Sequence, residues 1–172
     1  MSAILKFFSL GAVAILAVAH TPVALAVDAL PDARFVGFMQ EANDFEVRSS
    51  RLALERSSSE AIRGFANRMI IERGENAVLL SKARNEAGVS YAPTPGGSQP
   101  RHATVLERLG TLQGGEFDNA YASAQLAAQI EVVDQVGAYS QNGGNGNLRR
   151  FAQEALPKLQ AELDHAKRIA GQ

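Results

Sequence analysis

Residues 32–56, DARFVGFMQEANDFEVRSSRLALER, and residues 57–88, SSSEAIRGFANRMIIERGENAVLLSKARNEAG, decide the fold class. In the first stretch Phe35, Phe38, Met39, Ala42, Phe45, Ser49, Leu52 and Ala53 recur at spacings of three and four. That spacing lays them on one face of an α-helix. Asp32, just after Pro31, is placed to cap it. Ser57-Ser58-Ser59 breaks the pattern and offers hydroxyl caps, and Glu60 suits the first turn of a second helix reaching about Ala87. Its inner face reads Ile62, Phe65, Ala66, Met69, Ala77, Leu80 and Ala83. Gly88 stands where a left-handed C-terminal glycine belongs, with Val89 as its apolar partner. Two long amphipathic helices joined by three residues imply a tight antiparallel hairpin and an all-α fold.

Beyond Val89 the character changes. Ser90-Tyr91-Ala92-Pro93-Thr94-Pro95-Gly96-Gly97-Ser98-Gln99-Pro100 is incompatible with regular helix or central strand. A short helix from about Ala103 to Leu109 follows, with Val105, Leu106 and Leu109 facing the core, and Gly114-Gly115 ends it. A third long helix spans Glu116 to about Ser140. Its Ala120, Ala124, Ala127 and Ala128 make one small-residue face, while Leu126, Ile130 and Val133 make another, so its inward direction stays open. A turn at Gln141 to Gly146 leads to a fourth long helix capped by Asn147, with Leu148, Phe151, Ala152, Ala155, Leu159, Leu163, Ala166 and Ile169 inward. Pro157 inside it predicts a kink near Phe151 to Ala155. The expected architecture is a four-helix bundle with a long loop and short helix between helices two and three. The 28-residue connection from Gly88 to Gly115 is long enough to travel the bundle, which would make helices two and three parallel as in ferritin-like folds. A simple up-down-up-down bundle is the alternative.

The first 26 residues carry a different message. Lys6 precedes the uncharged, mostly apolar run Phe7 to Ala19, and Ala24-Leu25-Ala26 supplies the small-x-small pattern of a signal-peptidase site. The run is interrupted by His20, Thr21 and Pro22, too early for a bilayer span of roughly 20 apolar residues. The expected division is therefore a signal peptide over 1–26 and one helical domain over 27–172, exported to the periplasm or secreted, with no transmembrane segment in the mature chain. That domain is large enough to bury its own core. The chain has no cysteine, which excludes disulfides, thiolate metal sites and thiol catalysis. Lys6 is the one basic residue of the first 26, leaving 16 against 18 acidic residues. Such a balance has no footprint for nucleic acid or anionic lipid.

Polar residues inside apolar stripes mark where chemistry could sit. At about 100° per residue, Arg73 falls close to the line through Ile62, Met69 and Leu80. Glu46 and Glu162 fall near the middles of their own stripes on helices one and four. All three lie near mid-height of the bundle. They are read either as a buried Glu-Arg-Glu cluster or, for Arg73, as a long side chain reaching out from the stripe edge.

Phe65-Ala66-Asn67-Arg68-Met69-Ile70, Phe117-Asp118-Asn119-Ala120-Tyr121, Ala155-Leu156-Pro157-Lys158-Leu159, and Glu46 with Leu52-Ala53 downstream resemble the signatures of an exported bacterial family. That family is the domain of unknown function numbered four-one-four-two, whose members are often labelled outer-membrane or periplasmic. The resemblance covers about Phe35 to Ala170 and implies a ferritin-like four-helix fold, export, and no assigned activity. Members commonly carry an Asp-His pair after the Met-containing segment of helix two, a histidine in mid helix three, and another after the Leu-Pro motif. The corresponding residues here are Glu72-Arg73, Gln129 and Glu162. Gln129 joins the core polar cluster on this resemblance alone.

One signal points elsewhere. Glu162-Leu163-Asp164-His165 is a Glu-x-x-His sequence, the ligand pair that di-iron four-helix proteins use twice. Glu46, Glu72, Glu131, Glu162 and His165 thus form an alternative site for iron or another divalent metal. Against it, no second Glu-x-x-His exists, and His102 and His165 are the only histidines after residue 26. No Gly-x-Ser-x-Gly occurs, and Gly143-Gly144-Asn145-Gly146 joins two helices, so neither nucleophilic catalysis nor a phosphate loop is indicated. The leading expectation is a non-catalytic exported domain without a cofactor, binding an unidentified envelope partner or ligand, with the segment from Val89 to Gln113 as its partner surface.

Overall fold

The computed structural model describes residues 27–91 and 100–171. The expected signal peptide with its cleavage site, and most of the Pro/Gly segment, lie outside the described residues. Those residues form five helices and no strand: α1 Asp32–Arg56, α2 Glu60–Ala87, α3 Pro100–Thr111, α4 Gly114–Asn142 and α5 Gly146–Ile169.

The local signals act largely as their chemistry requires. Ser59 caps α2 by accepting the Ile62 N–H, and Gly88 closes it at φ 65°. Val89 N–H returns to Arg84 O at 3.2 Å, and its side chain packs on the core. Two caps differ from expectation. Asp32 makes no cap bond for α1; it lies within the helix and accepts instead from the Tyr139 hydroxyl and from Asn145 N–H. At α5 the cap is Asn145, not Asn147, with its carbonyl oxygen accepting from Asn147 and Leu148 N–H. The short helix also runs longer than Ala103 to Leu109 at both ends. Pro157 lies inside α5, which continues unbroken to Ile169.

Each of α1 and α5 packs on both α2 and α4, and α3 lies against α1 and α4. Asp32, at the start of α1, meets Tyr139 near the end of α4, whereas Ser50 meets Tyr121 near its beginning. So α1 and α4 are antiparallel. Asn147 at the start of α5 donates to Glu86 O at the end of α2, making that pair antiparallel too. With α1 and α2 joined as a hairpin, α2 and α4 must point the same way. The connection carrying α3 therefore travels the length of the helices, which its length allows.

The apolar core is divided. One cluster holds Phe35, Met39, Leu80, Val136, Tyr139, Leu148, Phe151 and Leu159. A second holds Ile62, Phe65, Met69, Leu109, Phe117, Tyr121, Leu126 and Ala166. Phe35 stacks on Tyr139 with ring centroids 3.8 Å apart, anchoring one end. Ala77, an expected core position on α2, is exposed instead; on α4, whose inward direction the sequence left open, Ala127 and Ile130 are both exposed. The inner face of α4 is Phe117, Tyr121, Gln125, Ala128, Gln129, Val132, Val136 and Tyr139. Two glutamines on that face explain why its apolar period is uninformative.

Candidate functional site

Between the apolar clusters the four long helices contribute a belt of buried polar side chains. Its centre is Arg73 on α2, 1% exposed, facing Glu46 on α1, 0% exposed, and Glu162 on α5. The Arg73 Nε lies 2.7 Å from Glu46 Oε2, and Nη2 is ion-paired with Glu162 Oε2. Gln129 on α4 completes the ring, its Nε2–H donating to Glu46 Oε2 at 3.2 Å, with Met69 Sδ 3.4 Å away. Glu46, Arg73, Gln129 and Glu162 thus meet at one level, one from each long helix. Arg73 does not reach outward from its stripe.

Further buried groups extend the belt. Asn43 Nδ2 donates to Asn76 Oδ1 at 3.2 Å. Gln125 Nε2 donates to Ser49 Oγ at 2.8 Å, which donates on to Phe45 O at 2.7 Å. Ser50 Oγ and Tyr121 Oη share a hydrogen bond of 2.8 Å. Sequence reasoning missed these partnerships. Their signal was weak: a lone serine or asparagine in a stripe is common, and each partner lies 33 to 76 residues away.

Electrostatically the centre holds two carboxylates against one guanidinium. Burial pushes the Glu46 carboxyl above its ordinary range; Arg73 pulls it back, and nearby Glu72 adds to the rise. Burial prevails because Glu46 is wholly enclosed and its Oε1 has no hydrogen-bond partner among the described residues. The enclosure thus favours the neutral form of the Glu46 carboxyl, and the Arg73 guanidinium opposes it. Burial likewise raises the Tyr121 phenol, against the pull of its bond to Ser50, so that hydroxyl stays neutral.

Of the alternative metal set, Glu46 and Glu162 lie in this centre, both paired with Arg73, and Glu72 is near enough to act on Glu46. Glu131 is two residues on from Gln129 and so about 200° round the helix from it. His165 packs edge-on against Phe65, ring centroids 5.4 Å apart, eight residues along α2 from Arg73. Burial and the nearby Arg68 and Arg168 lower its basicity, with Glu72 opposing. Among the described residues no three His, Asp or Glu side chains are gathered as a metal-binding group. Glu46 and Glu162 are held by Arg73, a resident cation.

Across residues 18–169 the chain matches the family model described as Domain of unknown function (DUF4142). The chain belongs to this family. No curated protein matches it. Two solved structures resemble the DUF4142 fold seen here. One, "CopM in the Cu(II)-bound form", shares 14% identity at a TM-score of 0.68, covering 83% of this chain and 97% of that one. The other is a DUF305 fragment from Deinococcus radiodurans, with 16% identity and a TM-score of 0.70, covering 84% and 99%. At these identities the likeness speaks for the fold. Among the described residues of this DUF4142 chain no helix is long and apolar enough to cross a membrane.

Proposed function

We propose that this DUF4142 protein is an exported, non-catalytic domain that acts by binding, built as a ferritin-like four-helix bundle whose central metal position is taken by a Glu46-Arg73-Glu162 cluster. The observation that carries the reading is the Arg73 guanidinium lodged between carboxylates of two other helices. A cation fixed in the chain does there part of what a bound ion would do, setting one positive charge between two buried carboxylates. The antiparallel neighbours and the long connection through α3 support the ferritin-like arrangement. The partner surface is the segment from Val89 to Gln113. Its helix α3 forms with α4 an open groove of about 740 Å³ lined by Val105, Arg108, Leu109, Leu112, Glu116 and Asn119.

A second reading, binding of copper, iron or another divalent metal, is favoured by the likeness to CopM, which was solved with Cu(II). The donors here are poor for that role: two histidines, one stacked on Phe45 and the other edge-on to Phe65, and two core carboxylates that share one guanidinium. Metal analysis of protein isolated from an export host without an affinity tag separates the two. The expected result is less than about 0.1 metal per chain, with no change in thermal midpoint on adding Cu(II) or Fe(II), since a ligand bound to the native state would raise it. One or more tightly held ions per chain would replace the first reading with the second.

A further inference from the structure

Three large apolar side chains on α2 stand in solvent: Ile71 at 63% exposure, Val78 at 69% and Leu79 at 56%. Ile71 and Val78 are seven residues apart, on the face opposite Ile62, Met69 and Leu80. Gly64 and Gly74 flank the same face, and a Cβ at either would meet nothing among the described residues. The packing of the chain on itself therefore does not call for glycine there, and glycine is a poor residue for a helix interior. What it offers at such a place is close approach by another backbone.

Charge indicates what approaches. Along the stripe the order is Glu60, Arg68, Glu75, Lys82, an alternation that is complementary to itself when reversed. It has no basic cluster that would suit a lipid surface or nucleic acid. We propose that the outer face of α2 is a homodimer interface, a second copy laying its own α2 antiparallel across the first about a two-fold axis beside Ile71. In that register the two Ile71 side chains meet. Val78 of each copy covers Gly64 of the other, Arg68 of each meets Glu75 of the other, and Glu60 meets Lys82. A parallel arrangement in register would set every charge against its like. The antiparallel one is isologous, the ordinary form of a closed dimer. Glu75 is also ion-paired within the chain to Lys158 at 2.9 Å, an exposed contact that leaves its second oxygen for the arginine.

Sedimentation equilibrium of the full chain from about 1 to 200 µM tests this. The expected mass at the upper end is that of two copies. Ile71→Glu, at a solvent-exposed position, should weaken dimerisation by about 100-fold while leaving helix content and the dilute-solution thermal midpoint unchanged. Arg68→Glu and Glu75→Arg should each weaken it roughly tenfold, and the two together should recover most of the loss, the coupling expected of paired charges. A monomer at every concentration overturns the proposal, even if that monomer captures a different protein through this face. A dimer unmoved by Ile71→Glu, or charge changes that simply add, overturns it as well.

Discussion

Arg73 reaches Glu46 through Nε and Glu162 through Nη2, so two nitrogens of one planar fork are engaged by different helices. A lysine, with a single compact ammonium, would not match that geometry. Removing one member of a buried ion pair costs about 3–5 kcal/mol, because the remaining charge is left without water or partner. Arg73→Leu should lose stability in that range by denaturant titration near neutral pH, whereas Arg51→Leu, at an exposed site on α1, should lose less than about 0.5 kcal/mol. The pH dependence follows from the direction of the Glu46 shift. Its folded-state pKa lies above the ordinary 4.5, so the stability it contributes is fully present below 4.5 and is lost as pH rises through the folded value. Deleting the guanidinium removes the attraction that restrains this rise, which extends the window upward. The gap between Arg73→Leu and the parent should therefore narrow as pH falls from about 7.5 toward 5. Glu46→Gln in the parent should flatten the same slope. A gap independent of pH would mean that Arg73 acts through packing alone.

Among the elements, the turn joining α4 to α5 depends most on contacts remote in sequence. Asn145 caps α5 through two N–H groups, donates its own backbone N–H to Asp32 and its side-chain amide to Ala87 O. Asn145→Ala should cost more than Ser59→Ala, whose cap serves one N–H; about 2 against about 1 kcal/mol is the expectation. Gly143 shows how tertiary packing dictates a turn residue. A Cβ there would stand 2.4 Å from the Tyr139 ring, and that ring is trapped between the turn and Phe35. Gly143→Ala should therefore destabilise by about 1–3 kcal/mol. Gly137→Ala, inside α4 with open space for its Cβ, should stabilise by about 0.5–1 kcal/mol. Thermal unfolding of both variants checks the pair, and equal signs would mean the turn can relax around Tyr139.

At the scale of the molecule, a polar belt lies between two apolar clusters, and each cluster keeps water from one side of it. That seclusion makes the ion pairs costly to break and shifts the Glu46 carboxyl, since a carboxylate near bulk solvent would keep its ordinary value. For the chain as synthesised, the run Phe7 to Ala19 and the Ala24-Leu25-Ala26 site lead to an expected mature N-terminus at Val27. N-terminal sequencing of protein recovered outside the cytoplasm checks this, and a retained Met1 in the membrane fraction would contradict it.

The helices themselves were legible in the sequence, because apolar spacing, serine and glycine caps, and breaks between stripes are local properties of the chain. The charged centre was legible too, since Arg73, Glu46 and Glu162 interrupt stripes that would otherwise be apolar, and a buried charge must find a counter-charge. The direction of α4 was not. Gln125 and Gln129 lie inward and Ile130 outward, a choice made by Ser49 and Glu46 on α1 rather than by hydrophobic period. The Asp32 cap failed for a similar reason: the carboxylate found the Tyr139 hydroxyl and the Asn145 N–H, both more than 100 residues away, in place of its own helix end. Periodicity and caps report interactions within one element. Which polar side chain meets which is settled only when the helices pack, because a donor and acceptor distant in the chain carry no local mark of each other.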